Sequence, residues 1–137
     1  KSEMINAGDF AGITALTKEA VAGMLGFGIK HIGINSENAE EARRTADLFV
    51  KVFGFPLVET PISYFCGKGV EVMKYDGTGR NGHIAIATNY MNRAIAYLER
   101  NGFAMDYESI MRDEKGEIKL IYLKQDFGGF SIHLARW

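Results

Sequence analysis

The chain has 137 residues and a mass of 15.2 kDa, which is the size of one ordinary domain. Hydrophobic residues make up 47% and charged residues 24%, so a packed core is possible and general disorder is excluded. The 16 Lys and Arg nearly balance the 17 Asp and Glu, and the formal net charge of -1 argues against a nucleic-acid partner held by bulk charge. A single Cys excludes a disulfide framework or a thiolate metal cage.

The sequence contains no signal for a membrane or for export. No apolar run is long enough to span a bilayer, and the polar start Lys1-Ser2-Glu3 is not typical of a signal peptide. We therefore expect a cytoplasmic protein with no membrane partner. Because the sequence does not begin with Met, we interpret it as a fragment of a longer chain.

The first part of the chain predicts two helices and four strands. Asp9 is a suitable N-cap for the first helix, and Ser36 or Asn38 for the second. Gly54 lies where a helix commonly ends in a left-handed residue. In chain order, the predicted elements are a helix at 9–26, a strand at 30–35, a helix at 37–53, and strands at 56–60, 62–66 and 69–75.

The second part repeats this pattern after a turn-rich connector at 76–82. Asn89 is the expected N-cap of its helix, and the residues Asp113-Glu114-Lys115-Gly116 are expected to turn a hairpin. In chain order, the predicted elements are a strand at 82–88, a helix at 90–101, and strands at about 107–113, 117–125 and 129–136.

The two parts are alike in sequence as well as in order. The segment His31-Ile32-Gly33-Ile34 corresponds to His83-Ile84-Ala85-Ile86, and Gly54-Phe55 after one helix corresponds to Gly102-Phe103 after the other. We therefore predict an α+β fold of two βαβββ units related by a pseudo-twofold axis, preceded by an extra N-terminal helix. Matched positions in the two units are expected to converge on one point.

The three histidines of the chain occupy matched strand positions. Because side chains alternate between the two faces of a strand, the neighbours of His31, Lys30 and Ile32, are expected on the opposite face, and the same holds for His83 and His133. On the histidine face, the residues two positions away are small. They are Gly33, Ala85, Ser131 and Ala135. This pattern predicts a hollow that contains imidazoles.

One carboxylate shares this arrangement. Glu71 alternates with Val70 and Val72 on the last strand of the first unit, as His133 does on the last strand of the second. Taken singly, a strand histidine is more often a hydrogen-bonded structural residue, and a Glu between valines is more often on a solvent face. Together, three imidazoles and one carboxylate form a ligand set suited to Zn, Ni, Co, Mn or Fe.

The stretch from Lys30 to Arg136 resembles the vicinal oxygen chelate superfamily, the glyoxalase and bleomycin-resistance type of fold built from paired βαβββ modules. The resemblance implies metal ligands on the first and last strands of each module, which correspond to His31, Glu71, His83 and His133. The motifs that carry it are Lys30-His31-Ile32-Gly33-Ile34, Val52-Phe53-Gly54-Phe55, Val70-Glu71-Val72, Gly82-His83-Ile84-Ala85-Ile86 and Gly128-Gly129-Phe130-Ser131-Ile132-His133-Leu134.

The sequence departs from this family at one ligand. The last-strand ligand is usually Glu, which in glyoxalase-like isomerases is thought to transfer a proton, whereas this chain has His133. A metal-bound imidazole is a poor base, so isomerisation is in doubt. A site with one carboxylate is also more positive than a site with two, which favours anionic oxygen ligands and Lewis-acid chemistry.

The N-terminal segment resembles the last helix of 2-dehydro-3-deoxyphosphogluconate (KHG/KDPG) aldolases, some of which carry a glyoxalase-like extension. The matching residues are Ile5-Asn6-Ala7-Gly8-Asp9-Phe10, Ile13-Thr14 and Thr17-Lys18-Glu19-Ala20-Val21. The resemblance implies that residues 1–28 are the tail of an aldolase domain, an aldehyde-lyase, and that residues 29–137 are its glyoxalase-like C-terminal domain. No Lys of the segment is assigned a Schiff-base role, and no catalytic residue is identified.

Two functions of different classes remain open. The leading hypothesis is a divalent-metal site that binds or acts on a small oxo or hydroxy acid by lyase, isomerase or dioxygenase chemistry. The alternative is a non-catalytic module that senses a ligand or promotes dimerisation for the attached aldolase. Members of the superfamily commonly dimerise, so the resemblance also implies a homodimer.

Overall fold

The computed structural model describes residues 2–137, which form one eight-stranded sheet and four helices. In chain order, the elements are α1 (Ser2–Asn6), α2 (Phe10–Leu25), β1 (Gly28–Ile34), α3 (Ala39–Phe53), β2 (Leu57–Glu59), β3 (Ser63–Cys66), β4 (Val70–Met73), β5 (Gly82–Thr88), α4 (Met91–Arg100), β6 (Met105–Arg112), β7 (Ile118–Phe127) and β8 (Phe130–Arg136). The sequence did not predict the short helix α1.

The sheet consists of two equivalent modules joined at its centre. The strand order is β2-β3-β4-β1-β5-β8-β7-β6. In each module the first strand pairs in parallel with the last, β1 with β4 and β5 with β8, and the two first strands pair antiparallel to each other. This arrangement confirms the predicted α+β fold of two βαβββ units with an extra N-terminal helix.

Helices cover one face of the sheet and leave the other face open. In the first module, Ala42 and Ala46 of α3 pack against Tyr64, Cys66 and Val72. In the second module, a larger core includes Leu25, Ile95, Ile121, Ile132 and Leu134. Because Ile132 and Leu134 of β8 point towards the helices, Ser131 and His133 between them lie on the opposite face.

The helix caps show where local sequence was a good guide and where it was not. The Asn38 side chain accepts hydrogen bonds from the backbone N–H groups of Glu40 and Glu41, as expected for an N-cap. Asn89 is not an N-cap, and the prediction was wrong. Tyr90 occupies that position without a side-chain bond, while the amide of Asn89 approaches carbonyls at the end of α2. Those carbonyls lack helical partners, so they compete for the Asn89 amide.

A β-bulge in β1 alters the alternation predicted around His31. The pairing with β5 shifts between Ile29, which lies opposite Ile86, and His31, which lies opposite Ala85, so Lys30 is the additional residue. Lys30 therefore does not simply alternate with His31, contrary to the prediction. The extra residue bends the strand and places His31 on the open face.

Helix α2 contacts the core mainly through its last turn. Leu25 is fully buried, whereas Phe10 and Leu16 are 73% and 43% exposed. The apolar side predicted for this helix is therefore largely uncovered by the described residues. No helix among these residues is long and apolar enough to cross a membrane.

We predict that Asn38→Ala lowers the free energy of unfolding by about 1 kcal/mol, because two backbone donors of α3 lose their partner. Urea denaturation measures the change. Asn89→Ala is the matched control, since the Asn89 amide makes only contacts of 3.4 and 3.5 Å. Asn89→Ala should lower the free energy of unfolding by less than half as much as Asn38→Ala. Equal losses would contradict the two capping assignments.

Candidate functional site

The open face of the sheet forms a cavity of about 940 Å³. His31, Glu71, His83 and His133, the four residues predicted as ligands, all line it. The volume lies within the range typical of small-molecule sites. The cavity also has apolar walls, formed by Ile62, Met73, Met111 and Leu120.

Strand register brings the four residues together in two neighbouring rows across the sheet. The first row is Glu71, Gly33, His83 and Ser131, and the second is His31, Ala85, His133 and Tyr122. Gly33 and Ala85 are small, so the larger side chains on either side of them can meet above the sheet.

Three potential ligand atoms lie at one point of the cavity. The Nε2 atoms of His31 and His83 are 3.1 Å apart, and the Oε2 atom of Glu71 lies 3.1 Å from the first and 3.3 Å from the second. His133 adds a third imidazole, so that one nitrogen from each of the three histidines lies within 4.8 Å of the others. A structural histidine needs only a hydrogen-bond partner, whereas here each imidazole lies beside two others.

Gly33 allows the His83 ring to reach this point. A Cβ atom at residue 33 would clash with Cε1 of His83, so the imidazole rests directly on the glycine backbone. Any side chain at residue 33 would displace the ring. Gly33 is therefore a steric requirement of the cluster.

Ser63 holds the other oxygen of the carboxylate. Its buried hydroxyl donates to Oε1 of Glu71 at 2.7 Å, which leaves Oε2 for the imidazoles. Burial alone would raise the pKa of Glu71, but hydrogen bonds from His31, His83 and Ser63 outweigh it and hold that pKa well below its usual range. Glu71 is consequently a carboxylate at neutral pH.

His133 is held as a neutral imidazole. Its Nδ1 donates to the carbonyl oxygen of Leu134 at 3.3 Å, which leaves Nε2 as the unprotonated nitrogen. The pKa of His133 is lowered to about 4, chiefly by burial and also by the neighbouring His83 and His31, while the Leu134 hydrogen bond and Glu71 oppose the shift. An imidazole whose second nitrogen bonds to a backbone carbonyl is well oriented for a metal.

Two residues of the site were not identified from the sequence. Ser63 reads as an ordinary strand residue, and Tyr122 lies in an apolar strand. The Tyr122 ring centroid is 5.0 Å from that of His133, and burial raises the pKa of the phenol, an effect that a hydrogen bond from Thr78 partly offsets. The only indication in the sequence was that Ser63 lies on the same strand face as Phe65, and Tyr122 on the same face as Leu120.

The donor atoms fit a divalent cation. Ligands about 2.0–2.2 Å from a tetrahedral or octahedral ion are separated from each other by about 2.9–3.6 Å. The separations of 3.1 and 3.3 Å among the atoms of His31, His83 and Glu71 fall in this range. The cluster of three histidines can thus hold a metal ion.

Solved structures share the fold at low sequence identity. Methylmalonyl-CoA epimerase from Mycobacterium tuberculosis aligns with a TM-score of 0.60 and 15% identity over 82% of this chain and 89% of its own. A hypothetical protein from Bacillus halodurans aligns with a TM-score of 0.58 and 16% identity, covering 81% and 94%. The Streptomyces coelicolor epimerase, bound to 2-nitronate-propionyl-CoA, gives 0.56 and 17%, covering 80% and 93%. No protein-family model and no curated protein matches the chain.

We predict that Gly33→Ala destabilises the protein by about 1–3 kcal/mol, the usual cost of forcing a methyl group into a closely packed site. Chemical denaturation of a double-mutant cycle with His83→Ala provides the measurement. In the His83→Ala background most of the penalty should disappear, because the ring that meets the new Cβ is gone. Gly23→Ala is the control, since a Cβ there meets no atom within 4 Å. Full additivity of Gly33→Ala and His83→Ala would contradict the proposed contact.

We also predict that the metal-free protein loses stability as the pH falls from about 6.5 to about 4. The unfolded chain then binds a proton at His133 before the folded protein does, so the loss should be on the order of 2 kcal/mol. The pKa of Glu71 is lowered from 4.5, so its contribution is lost only at lower pH. Urea titrations across the interval should give a shallower dependence for His133→Gln than for the unsubstituted chain, and equal slopes would contradict the assignment.

Proposed function

We propose that this chain is a divalent-metal-binding, glyoxalase-like domain whose ligands are His31, Glu71, His83 and His133, and that it binds or acts on a small oxo or hydroxy acid. The observation that carries the proposal is the mutual approach of two Nε2 atoms and one carboxylate oxygen to 3.1–3.3 Å. The metal could be Zn, Ni, Co, Mn or Fe.

The residues of the site have separable tasks. Ser63 fixes the carboxylate, Gly33 makes room for His83, and the Leu134 carbonyl sets the tautomer of His133. When bound, a divalent ion supplies Lewis acidity to oxygen atoms placed in its remaining coordination positions. Because the ligand set contains one carboxylate, the loaded site carries a net charge of about +1, which attracts an anionic ligand.

The charges of the cavity favour a small ligand that carries its negative charge at the metal end. Among the described lining residues, Asp76 and Asp106 add two carboxylates away from the cluster, and Lys124 is the one Lys or Arg. One cationic side chain is fewer than a ligand with several phosphate groups prefers. An oxo or hydroxy acid with an uncharged remainder suits the cavity better. Such a ligand would differ from the CoA ester bound to the Streptomyces epimerase.

A non-catalytic role in ligand sensing or dimerisation is the second candidate. It gains support from the exposed apolar side chains of Phe10 and Leu16 on α2, which are available to a further domain or subunit. This is also the helix that resembles the tail of a KDPG-type aldolase, so attachment to such an enzyme stays a prediction, as does the homodimer. The domain limits 1–28 and 29–137 are likewise predictions.

Isomerisation of the glyoxalase type is a third possibility, tested by His133→Glu. The substitution restores the carboxylate that the glyoxalase-like isomerases use. A gain of activity on hemithioacetals would show that the natural chain lacks only that group. No gain would leave Lewis-acid chemistry or binding as the function of the metal.

We predict that the metal-free protein takes up one equivalent of Co²⁺, Ni²⁺ or Zn²⁺ and that its melting temperature rises, because the ion binds the folded chain only. Titration calorimetry and thermal unfolding measure both effects. His83→Ala and Glu71→Gln should weaken the affinity by about 100-fold or more, since each removes a ligand.

Glu114→Gln is the matched control for Glu71→Gln, because Glu114 is an exposed carboxylate of the β6–β7 hairpin. It should bind the ion like the unsubstituted protein. The proposal fails if the unsubstituted chain takes up no ion, or if Glu71→Gln and His83→Ala bind it as tightly as the control does.

A further inference from the structure

We propose that Tyr122 donates a hydrogen bond to the metal-bound oxygen of the ligand and so forms, with Thr78, the second half of the binding site. This inference rests on the proposed function and specifies how the ligand is held. It places one oxygen of the ligand within reach of the phenol.

The strand register places Tyr122 beside the cluster. On β7, Tyr122 lies directly opposite His133 of β8, and their ring centroids are 5.0 Å apart. Both residues line the cavity. The phenol ring is therefore next to the imidazole of His133 at the edge of the cluster.

A backbone contact holds Tyr122 in place. The Ser109 hydroxyl accepts a hydrogen bond of 2.9 Å from the backbone N–H of Tyr122, at the point where β6 and β7 lose their regular pairing. At the other end of the side chain, Thr78 lines the same cavity as the phenol.

Thr78 is itself fixed by the first module. It lies on the connector between β4 and β5, and the Asn35 amide donates to the carbonyl oxygens of Gly77 and Gly79 on either side, at 3.3 and 2.8 Å. The connector thus forms a wall of the cavity that is tied to the end of β1. Tyr122 and this wall come from different parts of the fold and line one cavity.

The chemistry of the site explains why a neutral donor is useful there. A phenol has an ordinary pKa of about 10, so it is protonated at physiological pH and offers a hydrogen bond without adding charge. With one carboxylate among its ligands, the metal attracts an anionic oxygen, and a hydrogen bond to an anion is stronger than a neutral one. We therefore expect the site to bind an anionic chelating ligand more tightly than a neutral one.

The test uses the full chain loaded with Co²⁺. The probe is acetohydroxamate, because the hydroxamate group presents two adjacent oxygens. Cobalt absorption bands report metal binding and probe binding separately. Tyr122→Phe should weaken acetohydroxamate binding by about tenfold or more, the usual effect of losing a hydrogen bond to a charged group. Its Co²⁺ affinity should change by less than about threefold, since no metal ligand is removed.

Two further variants sharpen the result. Thr78→Val should weaken the binding of the probe in the same direction but less, because it leaves the phenol present and changes only the cavity wall. Tyr107→Phe is the control, since Tyr107 is 55% exposed and bonds to Glu99 away from the cavity. It should bind Co²⁺ and acetohydroxamate like the unsubstituted chain.

The inference is overturned if Tyr122→Phe binds acetohydroxamate as tightly as Tyr107→Phe does. It is also overturned if Tyr122→Phe loses Co²⁺ as strongly as His83→Ala, because Tyr122 would then be a metal ligand. Failure of the unsubstituted chain to bind Co²⁺ would overturn the metal site itself. The two failures are distinguished by the separate absorption changes.

Discussion

The antiparallel pairing of β1 with β5 at the centre of the sheet determines the geometry of the whole candidate site. It sets Gly33 opposite His83 and Ala85 opposite His31, so each imidazole projects over a small residue of the other module. A slip of one residue would turn one strand's histidine towards the helices and separate the rings. The bulge at Lys30 belongs to the same constraint, because it brings His31 into phase with Ala85. Residues from distant parts of the chain therefore meet through backbone hydrogen bonding and not through loop flexibility.

The polar groups held by this pairing have an electrostatic cost in the absence of a cation. Glu71 is a buried carboxylate, and its charge is stabilised by hydrogen bonds from two imidazoles and one hydroxyl. His133 is kept neutral by burial at an acidity where an exposed histidine would be protonated. Both groups are thus in the ionisation state that a divalent ion requires. The rigid sheet holds them there before any ligand arrives, which lowers the cost of binding.

The two modules are equivalent in topology but not in chemistry. The last strand of the first module contributes a carboxylate and that of the second an imidazole, at corresponding positions beside the first strands. The proposed metal site would be more positive than a site with two carboxylates, and it lacks a second basic oxygen. Tyr122 lies on the side of the imidazole, where it offers a proton donor next to His133. In the proposed site, this asymmetry would favour binding and polarisation of an anionic oxygen ligand over proton abstraction by a metal ligand.

The sequence by itself determined the repeated order of elements and the α+β class, because hydrophobic periodicity and the repeat are local signals. It also predicted four site residues, and all four line one cavity. It also identified Asn38 as a cap, but it failed at Asn89, whose side chain interacts with a helix far away in the chain. Only the tertiary structure decided the partner of His133. Next to the turn between β7 and β8, Phe127 pairs with Phe130 and Asp126 with Ser131. If this pairing continued regularly, Lys124 would lie opposite His133, but an irregularity in β7 places Tyr122 there. Such a shift preserves the alternation of faces, so the sequence pattern contains no trace of it.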